Sequence, residues 1–154
     1  MPSDQHQAIV GFLYVLLRNL ADRVGGTVRI APLRLCLWPD KIREPDLLFV
    51  ASAADARRQH AYWTGADLVI EVVSPDDPAR DLVTKRSEYA QAGIPEYWIV
   101  DPEMQHITVL ALAGAEYFVH GEFGAGEQAT SALLPGFVVD VAAVFAAADR
   151  SAAA

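Results

Sequence analysis

The stretch DLVIEVVSP, residues 67–75, places one carboxylate, Glu71, inside a run of apolar residues. A short run of this composition is typical of a strand inside a sheet that is covered on both faces. Burying an unpaired carboxylate there is strongly unfavourable. Glu71 is therefore expected to be protonated, ion-paired, hydrogen-bonded or bound to a metal, and each of these alternatives requires different neighbours.

The composition predicts one compact domain over residues 1–150, followed by a disordered tail at 151–154. The chain has 154 residues, of which 53% are hydrophobic and 21% charged. The single cysteine, Cys36, cannot form an internal disulfide and favours a reducing compartment, which predicts a cytoplasmic location. The apolar stretch AIVGFLYVLL stops at Arg18 and is too short to span a bilayer, so no membrane association is expected.

A formal net charge of -8 argues against broad electrostatic attraction to nucleic acid or to anionic membranes. It does not exclude a nuclease, because carboxylates that bind divalent cations add to the acidic count. Serine-hydrolase chemistry lacks a GxSxG motif, and no glycine-rich phosphate-binding loop is present. The four histidines have no zinc-like spacing, and none is assigned as a ligand.

Hydrophobic periodicity predicts three helical regions. A long helix covers QAIVGFLYVLLRNLADRV and stops at Gly25 and Gly26, and a second covers SPDDPARDLVTKRSEYAQAG and stops at Gly93. The last segment, GFVVDVAAVFAAA, is expected to be a short strand or turn that enters a helix.

The strands are predicted from short apolar or alternating runs. TVRIAPLRLCLW, interrupted by Pro32, is expected to form a bent strand or a strand pair, and PDKIRE after it a loop. PDLLFV and DLVIEVV are expected to be neighbouring buried strands, separated by a polar connection. IPEYWIV, HITVLAL and EYFVHG follow as strands. This order predicts an α/β fold with a mixed central sheet flanked by helices.

If PDLLFV and DLVIEVV pair, Asp46 at the start of the first strand reaches the region of Glu71. Two carboxylates then converge, and Mg²⁺ or Mn²⁺ accepts a site of one or two carboxylates, a backbone carbonyl and waters. The carbonyl of Val72, beside Glu71, is expected to complete the metal ligands.

Lys85 follows Glu71 on the next predicted helix. Asp81, Lys85 and Tyr89 are spaced at i, i+4 and i+8, so they are expected to share one helical face. In phosphodiester hydrolysis a metal polarises the phosphoryl oxygen, and a lysine stabilises the developing charge or orients the attacking water. Asp46, Glu71 and Lys85 are therefore the expected catalytic residues, with Asp81 and Tyr89 supporting them.

Simpler interpretations stand beside these. Asp46 alone could cap a turn after Pro45, and Lys85 alone could be a solvated helix residue. Glu71 could form a structural ion pair with Lys85 without any catalytic role.

PDLLFV, then DLVIEVVSP, then RDLVTKRSEYAQAGIPEYWIVDP resembles the signature of the Uma-two family of restriction-endonuclease-like proteins. The resemblance runs from about His6 to the C-terminus and is most specific between Asp46 and Pro102. It implies the PD-(D/E)xK nuclease fold, with Pro45 and Asp46 as the PD and Glu71 as the second acidic residue. The general pattern then has lysine where this chain has Val73, and in this family Lys85 is the matching lysine.

Similar family members usually carry an ELIDG-like strand before the first helix, and its acidic residue can belong to the site. This chain begins near the first helix. Glu44 or a residue of the first helix is expected to take that place, unless the site is incomplete.

The resulting expectation is a Mg²⁺- or Mn²⁺-dependent endonuclease that hydrolyses nucleic acid, with DNA favoured over RNA, and that acts as a homodimer. The aromatic strand EYWIV and the apolar C-terminal portion are candidate interfaces. The alternative is a catalytically inactive protein of the same fold that acts as a dimerising or binding module, with the charged residues as a structural network.

Overall fold

The fold begins with a long helix, α1 (Asp4–Val24). The computed structural model describes the backbone of residues 2–153, and their side chains except those of Asp81 and residues 150–153. Ser3 caps α1 by accepting a hydrogen bond from the His6 N–H at 3.1 Å. The helix ends at Gly25, whose φ of 77° lies in the left-handed region that glycine adopts without strain.

Eleven strands are found in the described part of the chain. Their bounds are β1 (Thr27–Ile30), β2 (Arg34–Trp38), β3 (Lys41–Arg43), β4 (Leu47–Val50), β5 (Tyr62–Trp63), β6 (Leu68–Val72), β7 (Glu96–Asp101), β8 (His106–Ala113), β9 (Glu116–Gly124), β10 (Gln128–Thr130) and β11 (Val138–Asp140).

Six of these strands form a mixed central sheet in the order β1-β4-β6-β7-β8-β9. The β6–β7 pair is parallel, and the other four pairs are antiparallel. β2, β3 and β5 form a second small sheet, and β10 pairs with β11. The antiparallel pairing of β4 and β6 places the start of β4 beside the end of β6.

Each face of the central sheet is covered. Alternate residues of β4 and β6, such as Leu47 and Ile70, pack against α1 and the C-terminal helix α3 (Val141–Ala153). The other set, such as Leu48 and Val69, packs against the small sheet and the short helix α2 (Lys85–Gln91). The expected α/β fold with a mixed sheet flanked by helices is confirmed.

Helix α2 is shorter than the sequence predicts. Residues Arg80–Thr84, expected to be α-helical, form a π-helical segment, in which the Lys85 N–H donates to the carbonyl of Arg80. A π-helical turn of this kind is often found at functional sites. The α-helical spacing that would align Asp81 with Lys85 therefore begins only at Lys85.

Three other expectations change. The predicted loop PDKIRE contains the strand β3. The sequence does not predict this strand because its three residues include no apolar run. The strand EYWIV lies in β7, which is buried between β6 and β8, so it cannot supply a dimer interface. Residues 151–153, expected in a disordered tail, continue α3, and Ala154 lies outside the described residues.

Among the described helices, none has the length and hydropathy that crossing a membrane requires.

Glu96 at the start of β7 is a completely buried carboxylate that holds the chain before β11 in place. It accepts hydrogen bonds from the indole of Trp98 at 2.9 Å and the hydroxyl of Ser131 at 2.6 Å. The backbone N–H groups of Ala132 and Leu133 donate to its other oxygen at 2.7 and 3.0 Å. Four donors compensate the loss of hydration, so Glu96 is a structural residue of the fold.

We expect Glu96→Gln to lower the free energy of unfolding by about 2 to 4 kcal/mol, because the amide group turns one acceptor into a donor that faces other donors. Urea denaturation followed by circular dichroism measures this change. Glu116→Gln, which removes the same charge from an exposed position on β9, is the control and should change stability by less than about 0.5 kcal/mol. Equal effects of the two substitutions would contradict the structural role of Glu96.

Candidate active site

Asp46 lies immediately before β4, at the point where the sheet brings it to the end of β6. Its Oδ2 accepts a hydrogen bond from the backbone N–H of Val72 at 2.8 Å. The same oxygen lies 3.2 Å from Nε2 of His6. The Asp46 carboxylate therefore binds the backbone of β6 one residue beyond Glu71. The pairing of the two apolar runs predicts this position.

Glu71 is only 2% exposed, and two partners compensate its buried charge. The Tyr89 hydroxyl donates to Oε1 at 2.6 Å, and the Lys85 ammonium lies 3.0 Å from Oε2. Burial and the negative charge of Glu71 raise the pKa of Tyr89 well above its ordinary value of 10.0, so the phenol stays a hydrogen-bond donor. Ion pairing and hydrogen bonding together offset the desolvation of the carboxylate.

Lys85 and Tyr89 reach Glu71 from one face of α2. Lys85 is the first residue of the helix and Tyr89 lies one turn later, so their side chains are neighbours on the helix surface. The Lys85 side chain is 14% exposed. Asp81 was expected on the same face, but its side chain lies outside the described residues, and its supporting role stays a prediction.

His6, to which the sequence pattern assigns no ligand role, lies at the site. It lies in the first turn of α1, and its side chain is 15% exposed. Its Nδ1 is buried and has no hydrogen-bond partner among the described residues. Forty positions separate His6 from Asp46, so only the packing of α1 on the sheet brings them together. The expectation that a residue of the first helix joins the site agrees with this position.

Glu88 forms a second charged cluster on α2, close to Lys85. Arg43 binds it with two nitrogens, Nε at 2.6 Å and Nη2 at 2.9 Å. Lys41 lies 2.6 Å from the same carboxylate. The hydrogen bond from Arg43 lowers the pKa of Glu88, so its carboxylate stays ionised. This cluster was not predicted because Lys41 and Arg43 belong to β3, which was expected to be a loop.

The acidic residues, His6 and Lys85 line a cavity of about 160 Å³ at the start of β4 and the end of β6. Its lining includes His6, Glu44, Asp46, Glu71 and Lys85. Glu44, the other residue expected to join the site, therefore lies at the same cavity as His6. The chain contains only two lysines, and both are at or beside this place.

The donor atoms suit a hard divalent cation. Mg²⁺ is commonly held by one or two carboxylates with waters and substrate phosphate oxygens, and Asp46 and Glu71 supply two carboxylates on adjacent strands. Within the part of the chain that is described, no group of three or more His, Cys, Asp or Glu side chains is arranged to hold a metal. Val72 contacts Asp46 through its N–H, and the metal-binding role of its carbonyl stays a prediction.

The mixed central sheet flanked by helices is that of a restriction-endonuclease-like fold. The chain belongs to the Uma2 family, described as "Putative restriction endonuclease", whose profile matches residues 1–142. Family and fold together indicate a restriction-endonuclease-like nuclease.

One similar solved structure is the crystal structure of a "putative nuclease belonging to DUF820" from Anabaena variabilis. It has 17% sequence identity and a TM-score of 0.71, and the match covers 96% of this chain and 84% of that one. At this identity the likeness supports the fold alone. No curated protein matches this chain significantly.

The contact of His6 with Asp46 gives a pH-dependent stability. The hydrogen bond to Asp46 is the main reason that the pKa of His6 is raised above 6.5 in the folded protein. The charged histidine therefore stabilises the fold fully below pH 6.5, and this contribution is lost as the pH rises through the raised pKa.

For protein kept in a chelator, we expect the melting temperature of the wild type to exceed that of His6→Asn by more at about pH 5.5 than at about pH 8.5. Thermal unfolding followed by circular dichroism at both pH values gives this difference. His120→Asn, on an exposed part of β9, is the control for losing an imidazole. A gap between wild type and His6→Asn that does not change with pH would show that the charged contact does not contribute.

Proposed function

We propose that the protein is a nuclease that hydrolyses phosphodiester bonds of nucleic acid with Mg²⁺ or Mn²⁺, DNA in preference to RNA. The observation that carries this proposal is the meeting of Asp46, Glu71 and Lys85 at one cavity, from two adjacent strands and the helix that follows. The DNA preference rests on the description of the family as restriction endonucleases.

Asp46, Glu71 and the carbonyl of Val72 are the groups that would hold the metal. When bound, the cation supplies Lewis-acid polarisation of a phosphoryl oxygen and lowers the pKa of a water molecule. Asp46 is fixed for this role by the N–H of Val72, and Glu71 by the Tyr89 hydroxyl. Both carboxylates are therefore held by donors that belong to the fold.

Lys85 is the group that acts on the reacting phosphate. As water attacks phosphorus and the bond to the leaving oxygen breaks, negative charge increases on the phosphate and the leaving oxygen. The ammonium of Lys85 stabilises that charge or orients the attacking water. Its position beside Glu71, with limited exposure to solvent, makes a charge interaction stronger than it would be in water.

A neighbouring groove gives a polymer room beside the site. This groove has a volume of about 440 Å³ and shares His6 and Ser74 with the lining of the site cavity. It runs past the first turn of α1 and the chain after β6 and β7. Asp101 and Glu103 also line this groove, so a nucleic acid strand that extends from the site through it needs bound cations to offset their negative charge.

Two further parts of the proposal concern where and how the protein acts. We retain a cytoplasmic location, supported by the single cysteine and by a composition without disulfides. We also retain a homodimer, which must use a surface other than β7 because that strand is buried.

Calorimetric titration of Mn²⁺ tests the site without requiring the correct nucleic acid. We expect the wild type to bind Mn²⁺ and Glu71→Gln to bind it at least about tenfold more weakly, because the variant loses a charged oxygen ligand. Glu122→Gln, at an exposed position of β9, is the matched control and should bind as the wild type does.

Failure of both wild type and Glu71→Gln to bind Mn²⁺ would reject the metal-dependent site. That outcome would favour the alternative of a noncatalytic binding module, in which Glu71 and Lys85 form a structural network.

Cleavage assays test the lysine. We expect Lys85→Ala to lower kcat on DNA by about a hundredfold or more, with a much smaller change in KM, because the lost interaction is made in the transition state. Arg86→Ala is the control, since Arg86 is the next cation on α2 but lines a different groove. A Lys85→Ala protein that cleaves DNA as fast as the wild type would exclude the proposed role of this lysine.

A further inference from the structure

The position of Lys85 depends on contacts outside its own helix. Helix α2 has seven residues and follows a π-helical turn, and Tyr89 is its one buried residue. A helix this short is not stable without tertiary contacts. Leu82 and Val83, just before the helix, are 40% and 66% exposed and contribute little burial. Tyr89 packs in the core against Tyr97, with ring centroids 5.0 Å apart, and polar contacts add to this single apolar anchor in holding the helix over the sheet.

One of these contacts is the pair of Arg43 and Glu88, to which Lys41 adds a second cation 2.6 Å from the Glu88 carboxylate. Both bonds of the pair are charge-assisted, at 2.6 and 2.9 Å, and a two-pronged guanidinium contact fixes orientation as well as distance. The Glu88 side chain is only 12% exposed, so water competes weakly for it. Glu88 lies three residues after Lys85, on the adjoining turn of the same helix.

Arg43 is also tied to the acidic half of the site. Only Glu44 and Pro45 lie between it and Asp46, and Pro45 restricts the backbone there. The contacts form a closed circuit: Asp46 binds the end of β6, Glu71 of β6 binds Lys85, and Glu88 of the same helix returns to Arg43.

This circuit of contacts fixes the position of the lysine relative to Glu71, which strand geometry does not fix in this chain. In the general PD-(D/E)xK pattern the lysine lies two residues beyond the acid on the same strand, so sheet geometry fixes both. Here that position is Val73, which is buried in the core below α2. Lys85 lies fourteen residues beyond Glu71 on a separate element, and its distance from Glu71 must be set by how that element docks.

We propose that Arg43 and Glu88 are positioning residues for Lys85, which hold α2 so that the ammonium stays beside Glu71 and the reacting phosphate. The catalytic part of this inference rests on the proposed nuclease function, whereas the placement of Lys85 does not. The two parts can therefore be tested separately.

The first test measures the environment of Lys85 by acetylation with an amine-reactive ester and mass spectrometry of the full chain after digestion. With only two lysines in the chain, the Lys85 peptide is resolved without ambiguity. We expect Arg43→Gln to raise the Lys85 acetylation rate by about tenfold, because an undocked helix exposes the amine. Arg43→Lys keeps the charge but loses the two-pronged contact, and its rate should be intermediate.

Arg57→Gln is the matched control. Arg57 makes the same kind of two-pronged contact, with Asp55 at 2.9 and 2.6 Å, in a loop that does not adjoin the site cavity. It should lower the melting temperature without changing Lys85 acetylation. If Arg43→Gln and Arg43→Lys, both folded, acetylate Lys85 at the wild-type rate, the positioning role is overturned, whatever their melting temperatures.

The second test is a double-mutant cycle on cleavage. Arg43→Gln should lower kcat by about tenfold or more with KM little changed, because small displacements of a catalytic group are costly. On a Lys85→Ala background the same change should have no further effect. An equal loss on both backgrounds would show that Arg43 acts independently of the lysine. Absence of cleavage by the wild type would refute the nuclease function, while the acetylation result would still decide the placement of Lys85.

Discussion

A carboxylate in the middle of a buried strand is stable only where cations and hydrogen-bond donors replace the water it has lost. Because Glu71 lies in β6, the elements on the α2 side of the sheet must supply its cation and its hydrogen-bond donor. The chain must return over the sheet after β6 and deliver Lys85 and Tyr89 to one point, and α2 does this although it is short. The helix in turn needs Glu88 and Arg43 to hold it. A single buried charge thus connects the central strand, the following helix and the small sheet beside it.

The sequence predicts well the parts of the structure that depend on local pattern. Apolar runs separated by turns locate the two central strands, and their pairing brings Asp46 to the end of β6 beside Glu71. The polarity of Glu71 in an apolar run is itself the signal that partners must exist. Lys85 is found at that place, four residues before Tyr89 on the same helical face. The catalytic roles given to these residues stay predictions.

The remaining parts depend on contacts between distant segments, which leave little trace in local pattern. β3 has three residues, of which Lys41 and Arg43 are charged and Ile42 is 49% exposed, so no hydrophobic alternation marks it as a strand. His6 meets Asp46 only because α1 packs along the sheet. The π-helical turn is equally hidden, since its residues are also compatible with an α-helix. The supporting role of Asp81, inferred from α-helical spacing, stays a prediction.

Because Lys85 lies on a helix, its position does not depend on the register of the strand that carries Glu71. A lysine on the strand of its acid would be tied to the register of the sheet, so a one-residue insertion between the two would move the side chains that follow to the opposite face. Here the residues between Val73 and Lys85 form a surface connection and a π-helical turn outside the central sheet. Their length and sequence can change without altering strand register, provided that the helix still docks. Variation in this connection is therefore limited by the docking of α2 and not by strand register.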